Sequence, residues 1–202
     1  SDVYAALASV PSLKAGRSEA VESEAIRPVD EATVNATLPH LPRIVAAMVE
    51  LQLLTGARPG EITSMRPIDL TFGTDGVWTY RPATHKTQHR GKERRIFLGP
   101  KSQAILRPFL DREREAYYFS PSEAEAERNA KRRKNRESPM TPSQAVRSTA
   151  TGRGRTVGKR YLKDSYGRAI SRACEAAGVP KWSPNQLRHS RATIIRERYG
   201  VE

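Results

Sequence analysis

Ile44-Val45-Ala46-Ala47-Met48-Val49-Glu50-Leu51-Gln52-Leu53-Leu54 is apolar on nearly every helical face, and Thr55-Gly56-Ala57-Arg58-Pro59-Gly60-Glu61-Ile62 follows it directly. A surface helix carries a single apolar stripe, so a segment apolar all round belongs at the centre of a core. Gly56 can take the left-handed conformation that commonly ends a helix. Pro59 suits the first turn of the next helix, whose body, Glu61-Ile62-Thr63-Ser64-Met65, is short. The spacing predicts two helices meeting around Arg58.

Working outward, Asp30 can cap a helix that begins at Glu31. Residues 1–27 mix Ala, Ser and Glu around short apolar pairs, and Arg27-Pro28 interrupts any helix, so 1–27 reads as a linker or the remnant of an upstream domain. Beyond Pro67 the pattern turns β-rich: Val77-Trp78-Thr79-Tyr80-Arg81 and Arg94-Arg95-Ile96-Phe97-Leu98 predict a β-hairpin. Helical spacing returns over Ser102–Leu110 and again from near Tyr166 to Gly178. The last helix is signalled by a capping box, Ser183 with Gln186, and by Pro184 at its first position. The expected fold is mainly α with a small antiparallel β-sheet.

The chain has 202 residues, 35 Lys and Arg against 22 Asp and Glu, and a formal charge of +13. That length fits one domain with a linker, and the charge fits a polyanionic partner. From Arg128 to Arg168 thirteen basic residues stand against only Glu137 and Asp164. With few large apolar side chains, this stretch is expected to have a mobile middle. Cys174 is the single cysteine and has no internal disulfide partner, which suits a reducing cytoplasm. No apolar run reaches the roughly 18 residues that span a bilayer, and Ser1–Lys14 lacks the order of a signal peptide, so no membrane partner is expected. The start at Ser1 and the stop after a helical pattern suggest a piece of a longer polypeptide.

No phosphate-binding P-loop, His-Glu-x-x-His or Gly-x-Ser-x-Gly motif is present. His85 and His89 fall in the hairpin rather than on a helix, and neither a metal nor a cofactor is expected. What remains is a set of cations beside helix starts and a hairpin. Arg58 stands where the amides of the following helix add to its charge, Arg188 lies in the first turns of the last helix, and Lys86 lies near the hairpin tip. Read singly, Arg58 can simply pair with Glu61, Arg188 can cover apolar surface with its stem, and Lys86 can be solvated.

Three ordered stretches give the chain a resemblance to the tyrosine recombinases, or phage integrases. Leu53-Leu54-Thr55-Gly56-Ala57-Arg58-Pro59-Gly60-Glu61-Ile62 resembles the family's first arginine box. Lys86-Thr87 with Arg94-Arg95-Ile96-Phe97-Leu98 resembles its lysine-bearing hairpin, and Pro184-Asn185-Gln186-Leu187-Arg188-His189-Ser190-Arg191-Ala192-Thr193 its His-x-x-Arg box. The resemblance covers roughly residues 28–202. It implies the recombinase catalytic-domain fold, truncated at its C-terminus, acting on double-stranded DNA and self-associating there, through a 3′-phosphotyrosyl intermediate and without a cofactor. Arg58 and Arg188 are then expected to clamp the phosphate and Lys86 to act as general acid, with Glu61 orienting Arg58 or Asn185.

Two departures from the pattern follow. Asn185 occupies the family's histidine position, replacing a titratable imidazole with an amide. The nucleophile is unassigned and expected beyond Glu202. Two other readings stay open, a noncatalytic DNA-binding module and a basic RNA-binding protein.

Overall fold

Asp30 opens the first helix by accepting hydrogen bonds from the Thr33 amide and hydroxyl, both at 2.7 Å, and these donors hold its carboxyl below the usual carboxylate range. The structure, a computed structural model, describes residues 3, 25–74, 76–84, 91, 93–139, 141–143 and 157–200. Helix α1 spans Glu31–Thr37 and runs into a 3-10 turn at Leu38–His40. Its last residue, Thr37, is fully buried and accepts from the Trp182 indole at 3.2 Å.

Helix α2, Arg43–Thr55, buries Ile44, Val45, Ala47, Met48, Val49, Leu51 and Gln52, as its all-round apolar pattern requires. Each large apolar side chain withdrawn from water contributes about 1.5–3 kcal/mol, so this helix anchors the core. Gly56 ends α2 at φ 64°, and a Cβ there would stand 3.3 Å from the Arg191 side chain. Both the dihedral and the close approach favour glycine. Helix α3, Pro59–Thr63, starts three residues later, so the two helices meet around Arg58.

Strands β1 (Leu70–Phe72), β2 (Trp78–Tyr80) and β3 (Ile96–Leu98) form one antiparallel sheet in that order. Tyr80 pairs with Leu70 on one side and Ile96 on the other, and all three face the core. Phe97 points the other way and is exposed, as strand alternation demands. The hairpin is thus present with shorter strands, and β1 is an addition. Three residues between Pro67-Ile68-Asp69 and Gly73 are too few to show a period-2 pattern in sequence.

Helix α4, Pro100–Leu106, gives way to a 3-10 turn at Arg107–Phe109 instead of running to Leu110. Pro108 has no amide to continue the ladder, and its ring crowds the preceding turn. Helix α5, Pro121–Lys134, has no buried residue and was not legible as a helix. It is held by Arg43 on Glu127 at 2.7 and 2.9 Å, by the two-pronged pair of Arg112 with Glu123, and by Ala124 against the core. Helix α6, Lys163–Ala177, buries Tyr166, Ile170, Ala173 and Cys174. Of the basic stretch 128–168, the residues to 134 and from 163 are therefore helical, while 140 and 144–156 lie outside the described residues.

Helix α7, Pro184–Tyr199, begins with Gln186 accepting from the Ser183 amide at 2.8 Å. It packs along α2, which also touches α3, α4, α5 and β3. The chain before α1 is fastened to α7: the Ser190 hydroxyl bonds both the amide (3.0 Å) and the carbonyl (2.6 Å) of Val29, and Gln186 donates to the Arg27 carbonyl at 3.0 Å.

Candidate active site

Glu61 is the centre of a cation cluster, although it is only 3% exposed. Its Oε2 accepts the Arg58 amide at 2.8 Å, which caps α3, and its Oε1 accepts Arg58 Nη1 at 3.0 Å. The Tyr80 hydroxyl donates to the Glu61 carbonyl at 2.6 Å, tying β2 to the same residue. Arg94, just before β3, brings its Nε within 3.4 Å of Glu61 Oε1.

Arg188 enters from α7 and donates Nη1 to the Gly56 carbonyl at 2.6 Å, across 132 positions of sequence. Loss of water around its half-buried guanidinium lowers its pKa, the neighbouring Arg58 and Arg94 lower it further, and Glu61 offsets part of this. Arg58, Arg94 and Arg188 therefore share one electrostatic neighbourhood with a single carboxylate. Three cations against one anion leave an excess of positive charge where burial makes charge interactions stronger than in water. Such a site attracts a bound anion, and guanidinium forks suit the oxygens of a phosphate.

The position of Arg188 depends on how α7 begins. Gln52, fully buried in α2, donates its amide to the Pro184 carbonyl at 2.7 Å and accepts the Tyr166 hydroxyl at 3.0 Å. One side chain thus pins α2, α6 and the first residue of α7 together. Tyr166 has a pKa raised well above the ordinary phenol value by burial alone.

The sequence-assigned residues fall as follows. Arg58, Glu61 and Arg188 come together. Asn185 is half-buried in the first turn of α7, and its side chain has no hydrogen-bond partner among the described residues, so Glu61 holds Arg58 and not Asn185. Lys86 lies outside the described residues. His189 is exposed, one position round the helix from Arg188. Tyr199 is 67% exposed near the end of α7. The hydroxyls of Tyr80 and Tyr166 are already engaged, and burial pushes Tyr161 up to about 12.

Arg94 was not singled out by motif reading, yet a signal existed. Successive strand residues face opposite sides, so Arg94 shares the face of the buried Ile96, whereas Arg95 turns outward to pair with the exposed Glu93 at 2.6 Å. Among the described residues no group of three or more His, Cys, Asp or Glu could hold a metal ion. Nor is any described helix long and apolar enough to cross a membrane.

Comparison with known proteins gives a consistent result. Residues 30–199 match the model described as the phage integrase family. The chain is 29% identical over 152 residues to a tyrosine recombinase XerC of Bifidobacterium longum subsp. infantis, covering 74% of this chain and 35% of that protein. A second XerC, from Bifidobacterium longum strain DJO10A, is 29% identical over 150 residues and is covered to 34%. The chain thus spans about a third of the length of the curated relatives it matches. Its fold is similar to that of the XerA recombinase, at TM-score 0.53 and 17% identity, covering 91% of this chain and 54% of that one. It is also similar to XerH site-specific recombinase in a pre-cleavage complex with its difH substrate, at TM-score 0.50 and 14% identity, covering 90% and 46%.

Proposed function

The chain belongs to the phage integrase family, and on that premise we propose that it carries the phosphate-activating residues of a tyrosine recombinase catalytic domain that cuts and rejoins double-stranded DNA. The observation that carries the reading is the meeting of Arg58 and Arg188 beside one buried carboxylate, with positive charge in excess. The relatives named tyrosine recombinase support the reaction class.

In this reading a tyrosine oxygen attacks the scissile phosphorus, the bond from phosphorus to the 5′ oxygen breaks, and a 3′-phosphotyrosyl link forms. The phenolic proton is released, and the departing 5′ oxygen takes up one. Rejoining is the reverse attack by a 5′-hydroxyl, so bond energy is conserved. Negative charge grows on the nonbridging oxygens as phosphorus becomes five-coordinate, and fixed guanidinium donors stabilise that charge more than water does. Arg58 and Arg188 take this role, and Glu61 positions Arg58. Lys86, which can lose a proton as arginine cannot, protonates the 5′ oxygen. Asn185 donates an amide hydrogen bond to a phosphate oxygen. The attacking tyrosine is not assigned to a residue of this chain. Exchange between two duplexes requires at least two copies of the protein on DNA, and the basic stretch 128–168 supplies contacts to the backbone.

The test is covalent capture. The full-length protein is incubated with a library of nicked duplexes, adducts resistant to denaturing detergent are isolated, and the phosphotyrosyl peptide is identified by mass spectrometry. A tyrosine-linked 3′ end that fails to form with Arg58→Ala or Arg188→Ala is the expected outcome. Sequence-independent, salt-sensitive binding with no adduct would instead assign a noncatalytic DNA-binding module.

A further inference from the structure

Arg94 presents an anomaly that neither its motif nor the pairing of Arg58 with Glu61 explains. Its Nε is buried and finds no hydrogen-bond acceptor among the described residues, although Glu61 Oε1 stands 3.4 Å away. Nε is closed off from solvent, while the side chain as a whole keeps 29% of its exposure. A surface ion pair would lie in water on both sides, as Arg95 does with Glu93, both about half exposed.

Glu61 already gives both oxygens to Arg58, through the amide and Nη1. A carboxylate engaged in that way has no need of a second guanidinium for its own satisfaction. The consequence of adding Arg94 lies in the charge that remains. Among the described residues, Arg58, Glu61 and Arg188 carry one net positive charge, and Arg94 raises this to two. A phosphodiester carries one negative charge at rest and two when five-coordinate. A site of two net positive charges matches the second condition, and groups that bind the transition state better than the ground state accelerate the reaction.

We propose that Arg94 is a positioning residue of the phosphate site: it neutralises Glu61 so that Arg58 and Arg188 both act uncompensated on the scissile phosphate. The inference rests on the recombinase reading above and adds to it a third guanidinium on the hairpin side of the site. Arg188 responds to Arg94 as well as to Arg58, which places all three cations within electrostatic reach of one another.

The experiment uses the full-length protein and the duplex recovered by covalent capture, in two versions: an ordinary scissile phosphodiester and a methylphosphonate, which carries one negative charge fewer throughout the reaction. With protein in excess, Arg94→Gln should slow formation of the covalent link on the phosphodiester by at least about tenfold. Its DNA affinity should stay within about threefold of the parent, because the many contacts to the DNA backbone elsewhere are unaltered. On the methylphosphonate the same substitution should cost less than about threefold, since the charge it answers is absent. Arg94→Lys should recover most of the rate on the phosphodiester. Arg94→Met, which retains an apolar stem, takes the place of the glutamine variant should that one fail to fold.

Equal loss on both substrates would make Arg94 a structural residue and overturn the proposal, as would an unchanged rate on the phosphodiester. If the parent protein links to DNA and Arg94→Gln links equally fast, the proposal alone fails. If the parent forms no link with any nicked duplex, the recombinase reading fails and the proposal with it.

Discussion

Replacing Gln52 with Leu removes a side chain that joins α2, α6 and the start of α7. Two interactions disappear. The hydrogen bond to the Pro184 carbonyl, 2.7 Å long, contributes about 0.5–1.5 kcal/mol. The Tyr166 hydroxyl, whose residue is fully buried, loses its acceptor, and a stranded buried donor costs about 1–3 kcal/mol. The sum is about 1.5–4.5 kcal/mol, because leucine fills a similar volume and adds little cavity cost. With a urea slope of about 2 kcal/mol per molar, the midpoint should fall by roughly 1–2 M. Urea melts of the 202-residue chain, followed by far-UV circular dichroism, measure this. The Tyr166→Phe substitution then isolates the cause, since in the Gln52→Leu background it deletes the stranded hydroxyl and should restore part of the loss. A Gln52→Leu stability within about 0.5 kcal/mol of the parent would refute the reasoning, at about a third or less of the expected effect. So would a double variant that loses the full sum of the two single effects.

Other consequences are as specific. Gly56→Ala forces a Cβ into the left-handed region and to 3.3 Å from the Arg191 side chain, so it should lower the thermal midpoint by an amount equal to about 1–2 kcal/mol and displace the carbonyl that Arg188 uses. Burial raises the pKa of Tyr80, Tyr161 and Tyr166, with Tyr161 pushed up to about 12, so above pH about 10 the unfolded chain releases protons that the folded chain retains. Stability should be intact below that pH and fall as pH rises toward 12, with a shallower slope in Tyr161→Phe, as denaturation at stepped alkaline pH will measure. In the full-length protein, Asn185→His should keep the cleavage rate or raise it, while Arg188→Ala should lower it by about 10²–10³; timed cleavage of one nicked duplex compares them, and the opposite order would remove Asn185 and Arg188 from their assigned roles at the phosphate.

Much of the fold was legible because its signals are local and strong. The all-apolar α2, the glycine stop at Gly56, the proline starts of α3 and α7 and the Ser183–Gln186 box each report the state of a few neighbouring residues. Helix α5 was hidden because it fully buries no residue. Its anchors are Arg43 and Arg112, distant in sequence, and its composition resembles that of a solvated segment. Strand β1 was hidden by its length. In the site, Arg58 and Arg188 could be named from motifs, but their meeting could not be read from spacing, because Gln52 and the Gly56 carbonyl that bring it about carry no chemical signature of their own. Arg94 escaped because two adjacent arginines look alike until a register fixes which one turns inward.

The fastening of Val29 and Arg27 to Ser190 and Gln186 has a mechanical consequence. Ser190 lies two residues beyond Arg188 and Gln186 two before it, so the clasp brackets the arginine on a single helical turn and a half. A pull on Arg27 or Val29 therefore meets that helix directly. It is delivered to the stiff rod that bears Arg188, and a shift of that rod changes how far the guanidinium reaches past the Gly56 carbonyl. The clasp makes residues 27–29 and the arginine of the cation cluster parts of one mechanical unit.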